Sequence, residues 1–226
     1  MAENNSFSNL TTNKIISAQY SKFLSVDEIE EMDLVDVNFS ETFFQVDGRE
    51  PSSTITTQVG LEWNEQVLFV FFRGRFEELR GEFKTVNKMF KDKTQRLWER
   101  SEVYEVLIGP QAKQYNAYKE FQVAPDGRWF DGDVNNNLGL VNNYWYSGMQ
   151  CKSYADKEMN IWSAVIELPW SCFGACYDTV NEWNVNFYRS SGKNFGDELL
   201  AWLPTGKGER CFHRSEYFGK IDFVME

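Results

Sequence analysis

Histidine is nearly missing from this chain of 226 residues: His213 is the only one. A metal centre built on several imidazoles is therefore excluded. Cysteine is scarce as well. Cys172 and Cys176 stand four apart, which is not the spacing of a CxxC redox or zinc site, and Cys151 and Cys211 stand alone. Free, partly buried thiols are the expectation, with one disulfide as the alternative. No apolar run approaches the ~20 residues of a membrane-spanning helix. The N-terminal run Met1-Ala2-Glu3-Asn4-Asn5-Ser6 is polar and acidic, without the look of a signal peptide. The expected compartment is then the cytoplasm or, if a leader has been removed, the periplasm or the extracellular space. GxSxG and P-loop motifs are lacking. Basic residues are in deficit, 23 against 34 acidic ones, for a formal charge of −11. Such a chain repels phosphate backbones and anionic lipid, which argues against nucleic acid and membrane surfaces as partners. Neutral sugars and cations remain compatible, and solubility alone is the plainest use of the charge.

What the chain has in excess is aromatic side chains, 16% of the sequence, with Phe 19, Tyr 10 and Trp 8. That load favours strands, and it is large enough that some rings are expected outside the core. Short strand-like runs follow one another with turn residues between them. Residues 14–20 and 35–39 are two of them, separated by an acidic turn at 27–32. In 54–63, Ile55, Val59, Leu61 and Trp63 fall on one side, and a hairpin follows at 63–66. Residues 67–72 are apolar on both faces, as in a central strand covered on both sides. A charged excursion with one helix is expected over 75–93. In 103–110, Tyr104, Val106 and Ile108 share a face that can bury, and Val103, Glu105 and Leu107 share the other. Further strands are expected at 118–123, 128–130, 151–154, 160–168, 183–189, 199–202 and 220–224, with a Gly/Asn/Asp loop at 131–143. Hardly a helix is visible. The pattern predicts an all-β fold, an antiparallel β-sandwich of jelly-roll type with few short helices. No internal repeat or linker divides it, so one domain is expected over residues 1–226, with 1–12 loose.

Sites for neutral sugars pair an aromatic face with fixed polar groups. The ring packs on the C–H patch of a pyranose, and carboxylates bind its hydroxyls strongly. Trp98, Glu105, Glu120, Arg189 and Trp202 have the right chemistry. Against this stands the plainer reading, in which the carboxylates are solvated, Arg189 is a buried ion-pair partner of Glu105 or Glu120, and the tryptophans are core. Trp162 and Trp183 lie on alternating apolar faces and are expected in the core, and Trp63 and Trp129 are expected in core or edge packing. His213 is expected to fix a loop by hydrogen bonds.

An ordered set of short runs resembles the family 9 carbohydrate-binding modules, and more closely the family 9-like domains. It includes Gly60-Leu61-Glu62-Trp63 running into Val67-Leu68-Phe69-Val70-Phe71-Phe72. Leu97-Trp98-Glu99-Arg100 with Val103-Tyr104-Glu105-Val106 follows, then Tyr118-Lys119-Glu120-Phe121-Gln122-Val123 with Pro125-Asp126-Gly127. Glu167-Leu168-Pro169-Trp170, Ala201-Trp202-Leu203-Pro204-Thr205 and Phe212-His213-Arg214-Ser215 complete it. The matches run from residue 54 to the C-terminus. The resemblance implies a β-sandwich in which two tryptophans clamp a terminal sugar, helped by carboxylate, amide and arginine groups. Trp98 matches the first tryptophan and Trp202, more approximately, the second. Glu105 matches the glutamate of its strand, one residue further from the tryptophan than in the family pattern. Glu120 and Arg189 match recurrent positions.

The expected function is non-catalytic capture of a neutral carbohydrate or polysaccharide end, of xylan or cellulose type, with a polysaccharide-degrading enzyme as an expected associate. No cofactor is expected. Structural calcium is an option that the resemblance raises, with Asp131, Asp133 and Asn135 offering oxygens at alternate positions. The EF-hand's closing Glu is missing, so a solvated acidic loop is the competing reading. Two other functions compete. A glycoside hydrolase would use Glu105 and Glu120 as its paired carboxylates. An interaction domain would keep the sandwich without the sugar site.

Overall fold

The computed structural model describes residues 14–80, 93–110, 117–180, 182–191, 198–208 and 211–225. The strands are β1 (Ile15–Tyr20), β2 (Phe44–Gln45), β3 (Gln58–Trp63), β4 (Val67–Arg75), β5 (Val103–Pro110), β6 (Ala117–Val123), β7 (Trp129–Asn135), β8 (Leu140–Asn142), β9 (Gln150–Asp156), β10 (Ile161–Pro169), β11 (Trp183–Ser191), β12 (Glu198–Ala201) and β13 (Gly219–Val224). They form one curled sheet in the order β8-β7-β6-β5-β11-β13-β1-β3-β4-β10-β9, with β12 and β2 attached at β11. The curl brings β4, β10 and β3 face to face with β5, β6 and β11, so the fold is an all-β sandwich. One cluster fills its interior, with Val70, Phe72 and Ala164 from one half meeting Tyr104, Val106, Phe121 and Phe187 from the other.

Pairing is antiparallel throughout except at β1, which lies parallel to both β13 and β3. The expectation of a wholly antiparallel sandwich thus fails at one strand, the strand that joins the two halves. β4 is covered on both sides, as its two apolar faces require. Leu68, Val70 and Phe72 enter the interior. Val67, Phe69 and Phe71 are roofed from outside by Val26, Ile29, Leu34 and Val37. Val26 and Leu34 belong to two 3-10 turns, Val26–Glu28 and Glu31–Val35, where the sequence suggests one helical turn and then a strand. The acidic turn is tied down locally: Ser25 caps the first, and Glu30 and Asp33 cap the second reciprocally.

One further expectation changes. Residues 131–135 are not loop but the second half of β7, paired residue by residue with β6. Strand propensity argues against Asp-Gly-Asp, but pairing with β6 along the whole stretch, and with β8 from Asp133 on, overrides it. Most of the expected 75–93 excursion, and the loose segment 1–12, lie outside the described residues. Cys151, Cys172, Cys176 and Cys211 are free thiols. Among the described residues no helix is long and apolar enough to cross a membrane.

Candidate functional site

The outer face of the β5–β6–β11 half carries polar side chains where an exposed sheet face would carry solvated ones, yet here they are buried. Alternation explains how they come together. On β5, Tyr104 and Val106 point inward and Glu105 outward; on β6, Phe121 and Val123 point inward and Tyr118, Glu120 and Gln122 outward. Glu105 lies opposite Gln122 in the β5–β6 register, and Glu120 sits two residues along the same face. From β11, Tyr188 and Ser190 share this face, and β12 adds Leu199 beside it.

These residues line a cavity of about 440 Å³. Its wall holds Glu105, Glu120, Gln122, Ser190 and Leu199; Trp98 stands at its rim, and Gly208 and the turn Cys211–His213 bound it elsewhere. Trp98 sits on the one-turn helix Leu97–Arg100, which is entered through Arg96 in the left-handed region at φ 53°. Leu97 buries itself with Val103, Ala124 and Phe130, and Trp98 packs on the edge of that cluster. Arg80 clasps the helix from behind. Its Nη2 donates to the Trp98 carbonyl at 3.2 Å and to Ser190 Oγ at 3.3 Å, and Nη1 donates to the Glu99 carbonyl at 3.3 Å.

The far rim is fixed by rings and hydrogen bonds. Phe212 stacks on Tyr188 at 4.2 Å. His213 Nδ1 and Tyr118 Oη are 2.9 Å apart, and the His213 carbonyl accepts from Asn136 Nδ2 at 2.8 Å. His213 thus pins its turn, as the sequence suggests. Arg214 donates to the carbonyls of Thr205 and Lys207 and so braces the loop that presents Gly208.

The centre of the wall is a carboxylate–amide–carboxylate arrangement. Gln122 Nε2 donates to Glu105 Oε2 at 3.0 Å and to Glu120 Oε1 at 2.7 Å. Glu105 and Glu120 are only 3% and 5% exposed. Burial, then the neighbouring Glu120 charge, push the Glu105 carboxyl well above the usual range, against the lowering effect of the Gln122 hydrogen bond. Glu105 therefore holds its proton more tightly than an ordinary glutamate does. Burial, and then the nearby Glu105, also raise Tyr188 and Cys211.

Of the five residues singled out from the sequence, three meet here: Trp98, Glu105 and Glu120. The other two lie on the opposite side of the sheet. Arg189 projects from β11 into the sandwich, where it is fully buried. Its partner is neither Glu105 nor Glu120 but Glu102, which accepts from Arg189 Nε at 2.8 Å and from Nη2, and from Ser191 Oγ at 2.8 Å. Nη1 crosses to the other half and donates to the carbonyls of Thr56 and Arg75, both at 2.8 Å. Gly74 makes room for it, since a Cβ there would lie 2.8 Å from Nη1. Trp202 is 2% exposed and packs edge-on against Phe187 in the interior. Gly219 leaves it space: a Cβ at that position would come within 2.5 Å of the indole. Trp202 therefore does not face Trp98 across the cavity; the aromatic residue on the other rim is Phe212.

The residues offered for calcium are engaged otherwise. Asp131 is buried, paired with Lys93 Nζ at 2.8 Å, and accepts from the Ser147 backbone and hydroxyl at 2.7 and 2.6 Å. Asp133 pairs with Lys119 at 2.7 Å, and Asn135 is exposed at the strand end. Among the described residues no group of three or more His, Cys, Asp or Glu is gathered as a metal site would need. Sequence reasoning missed Gln122, Ser190 and Phe212. The signal for Gln122 was in the sequence: Tyr118, Glu120 and Gln122 share one strand face.

No family model matches the chain, and no curated protein matches it by sequence. Solved structures do match by shape. A candidate carbohydrate-binding protein from Bacteroides uniformis superposes with a TM-score of 0.70 at 16% identity, over 94% of this chain and 100% of that one. A family 9 carbohydrate-binding module from Caldicellulosiruptor kristjanssonii, in complex with glucose, superposes at 0.65 with 10% identity, over 94% of this chain and 97% of that one. This chain has the family 9 module fold. The same module in complex with cellotriose gives 0.64 at 9% identity, over 94% and 95% of the two chains. Coverage of nearly the whole of each partner means that the likeness in fold extends over the full sandwich and not a shared half.

Proposed function

We propose that this family 9-like domain binds a neutral carbohydrate, without breaking a bond, in the cavity between Trp98 and the Cys211–His213 turn. The observation that carries the reading is the wall itself: two buried carboxylates bridged by one amide, with a partly exposed indole at its edge. A sugar ring would lay its C–H face on Trp98 while its hydroxyls donate to Glu105 and Glu120. A volume of about 440 Å³ falls within the usual ~300–1,000 Å³ of small-molecule sites. The sugars in complex with the family 9 neighbour, glucose and cellotriose, make neutral β-glucans the first ligands to try.

A glycoside hydrolase is the second reading, because Glu105 is a buried carboxyl, raised above the usual range, beside another carboxyl, as a general acid needs to be. The arrangement favours binding. Hydrolytic carboxylates flank the scissile bond, whereas Glu105 and Glu120 lie on one wall and share the Gln122 amide. Calorimetric titration with xylo-, cello- and manno-oligosaccharides, with reducing ends assayed in the same samples, separates the two. Saturable heat without new reducing ends is the expected result. New reducing ends would establish the hydrolase, and silence in both assays would leave the sandwich as an interaction domain.

A further inference from the structure

Gln122 lines the cavity at 1% exposure, and among the described residues its Oε1 is a buried acceptor that receives no hydrogen bond. Buried carbonyl oxygens are ordinarily paired, because leaving one without a donor is costly. Trp183 Nε1 and Thr205 Oγ1 are unpaired too, but neither residue borders the cavity. The indole of Trp183 is closed in by Trp170, Phe173 and Phe223. The orientation of the Gln122 amide is set by its neighbours. Its Nε2 donates to Glu105 Oε2 at 3.0 Å and to Glu120 Oε1 at 2.7 Å, so both of its hydrogens are in use. Reversing the group would set Oε1 against both carboxyl oxygens and would call for a proton on each. Oε1 is thus the polar atom of this side chain that remains to meet a ligand.

We infer that Gln122 is a specificity-determining residue of the cavity: its amide oxygen accepts a hydrogen bond from one hydroxyl of the bound sugar, and the site selects ligands in which that hydroxyl is present and unmodified. This rests on the reading of the cavity as a sugar site and adds a residue to it. A hydroxyl brings the donor that Oε1 needs. A deoxy sugar brings none and, by filling the cavity, leaves Oε1 buried and unpaired, so the penalty falls on the protein's own atom. An O-methyl ether also brings no donor, and it adds bulk. Oε1 is in place before the ligand arrives, which keeps the cost of ordering low. The β5–β6 register fixes the backbone, with Glu105 opposite Gln122, and the two carboxyls hold the amide plane. Trp98 at the rim has a different task, since an indole stacks on any sugar with a C–H face. The indole supplies affinity, and Gln122 supplies the choice among sugars.

The test is isothermal titration of the whole chain with D-glucose and each of its monodeoxy analogues, in the wild type and in Gln122→Met, which keeps the length of the side chain and removes its amide. In the wild type, the analogue lacking the hydroxyl that meets Oε1 is expected to bind about tenfold more weakly than glucose, as one hydrogen bond allows. In Gln122→Met the glucose-to-analogue ratio for that one analogue falls towards one, while the ratios for the others persist. A second measurement needs no variant: the ¹³Cδ signal of Gln122, assigned by triple-resonance NMR in the wild-type chain. It is expected to move downfield and saturate with glucose, as an amide carbon does when its oxygen accepts a hydrogen bond, and to stay in place with that analogue. Equal weakening of every ligand in Gln122→Met, or a ¹³Cδ signal unmoved in the glucose-saturated wild type, gives the amide a purely structural role and overturns this inference alone. Absence of binding by glucose and all its analogues overturns it together with the proposed function.

Discussion

Two glutamates three residues apart, Glu102 and Glu105, meet opposite fates. Both are buried, at 0% and 3% exposure. Glu102 faces the interior and is saturated by Arg189 and Ser191, with Arg189 reaching on to carbonyls of the other half of the sandwich. Glu105 faces the cavity and has one amide hydrogen for a partner, with a second carboxyl beside it. Packing explains the first arrangement completely: it ties β11 to the segment just before β3 and to the end of β4, across a core otherwise held by apolar contact. Nothing in packing calls for the second. Hydrophobic residues at 105 and 120 would fill a sheet face at lower cost than two buried carboxyls. The difference between the faces is that one carboxylate is satisfied within the fold while the other borders the cavity proposed as the sugar site.

The comparison can be broken most forcefully at Arg189. Arg189→Met strands Glu102 in the core and should lower the unfolding free energy by about 3–5 kcal/mol, as unpaired buried charges do. Urea unfolding followed by Trp fluorescence reads this directly. Adding Glu102→Met to Arg189→Met should recover much of the loss; if it does not, the pair is not what holds the two halves. Trp98→Ala tests the cavity face. Sugar affinity should drop about 30-fold or more, as when an anchoring aromatic is removed. Stability should fall by only about 1 kcal/mol, because Trp98 lies at the edge of its cluster. Unfolding of this variant would move Trp98 into the core and the site elsewhere. Trp202→Phe should behave the other way: a stability loss of about 1–2 kcal/mol from the interior void, with affinity unchanged.

Glu105 gives the smallest and most specific signal. Its proton is bound more tightly in the folded chain than in the unfolded one. The stabilisation this brings is complete below the ordinary glutamate range and is lost as pH rises through the raised folded value. Within that window one such proton accounts for a slope of up to about 1.4 kcal/mol per pH unit. Glu62 and Glu167 are raised as well, mainly by burial, and add to the wild-type slope. In Glu105→Gln the slope should lessen by the share of one group, and stability above the window should rise relative to wild type. An unchanged slope would show that Glu105 is ionised in the folded protein.

The fold was largely legible because burial imposes a period of two. The inward set Tyr104, Val106 and Ile108 and the double-faced run 67–72 could be read from spacing alone. The parallel pairing of β1 could not, because pairing partners far apart in sequence leave no local mark. Residues 131–135 misled because Asp and Gly signal turns, while their strand state is imposed by β6. The site was half legible. The residue types at 98, 105 and 120 suit sugar chemistry, and β5, β6 and the one-turn helix Leu97–Arg100 bring them to one cavity. Arg189 was the informative failure: its charge suggested a ligand contact, yet the period puts it on the face of Phe187 and Tyr104, and the sequence did name the ion pair but with the wrong partner. Trp202 lies just past β12, where no period applies, and the space that receives it is made by Gly219, seventeen residues on.

The most direct measurement is an indole ¹H–¹⁵N NMR titration with cellotriose, with signals assigned through Trp98→Phe and Trp202→Phe. The account predicts that the Trp98 signal shifts and saturates while that of Trp202, shielded in the interior, stays in place. A saturating shift of Trp202 with Trp98 unmoved would contradict it and place the sugar on the other side of the sheet.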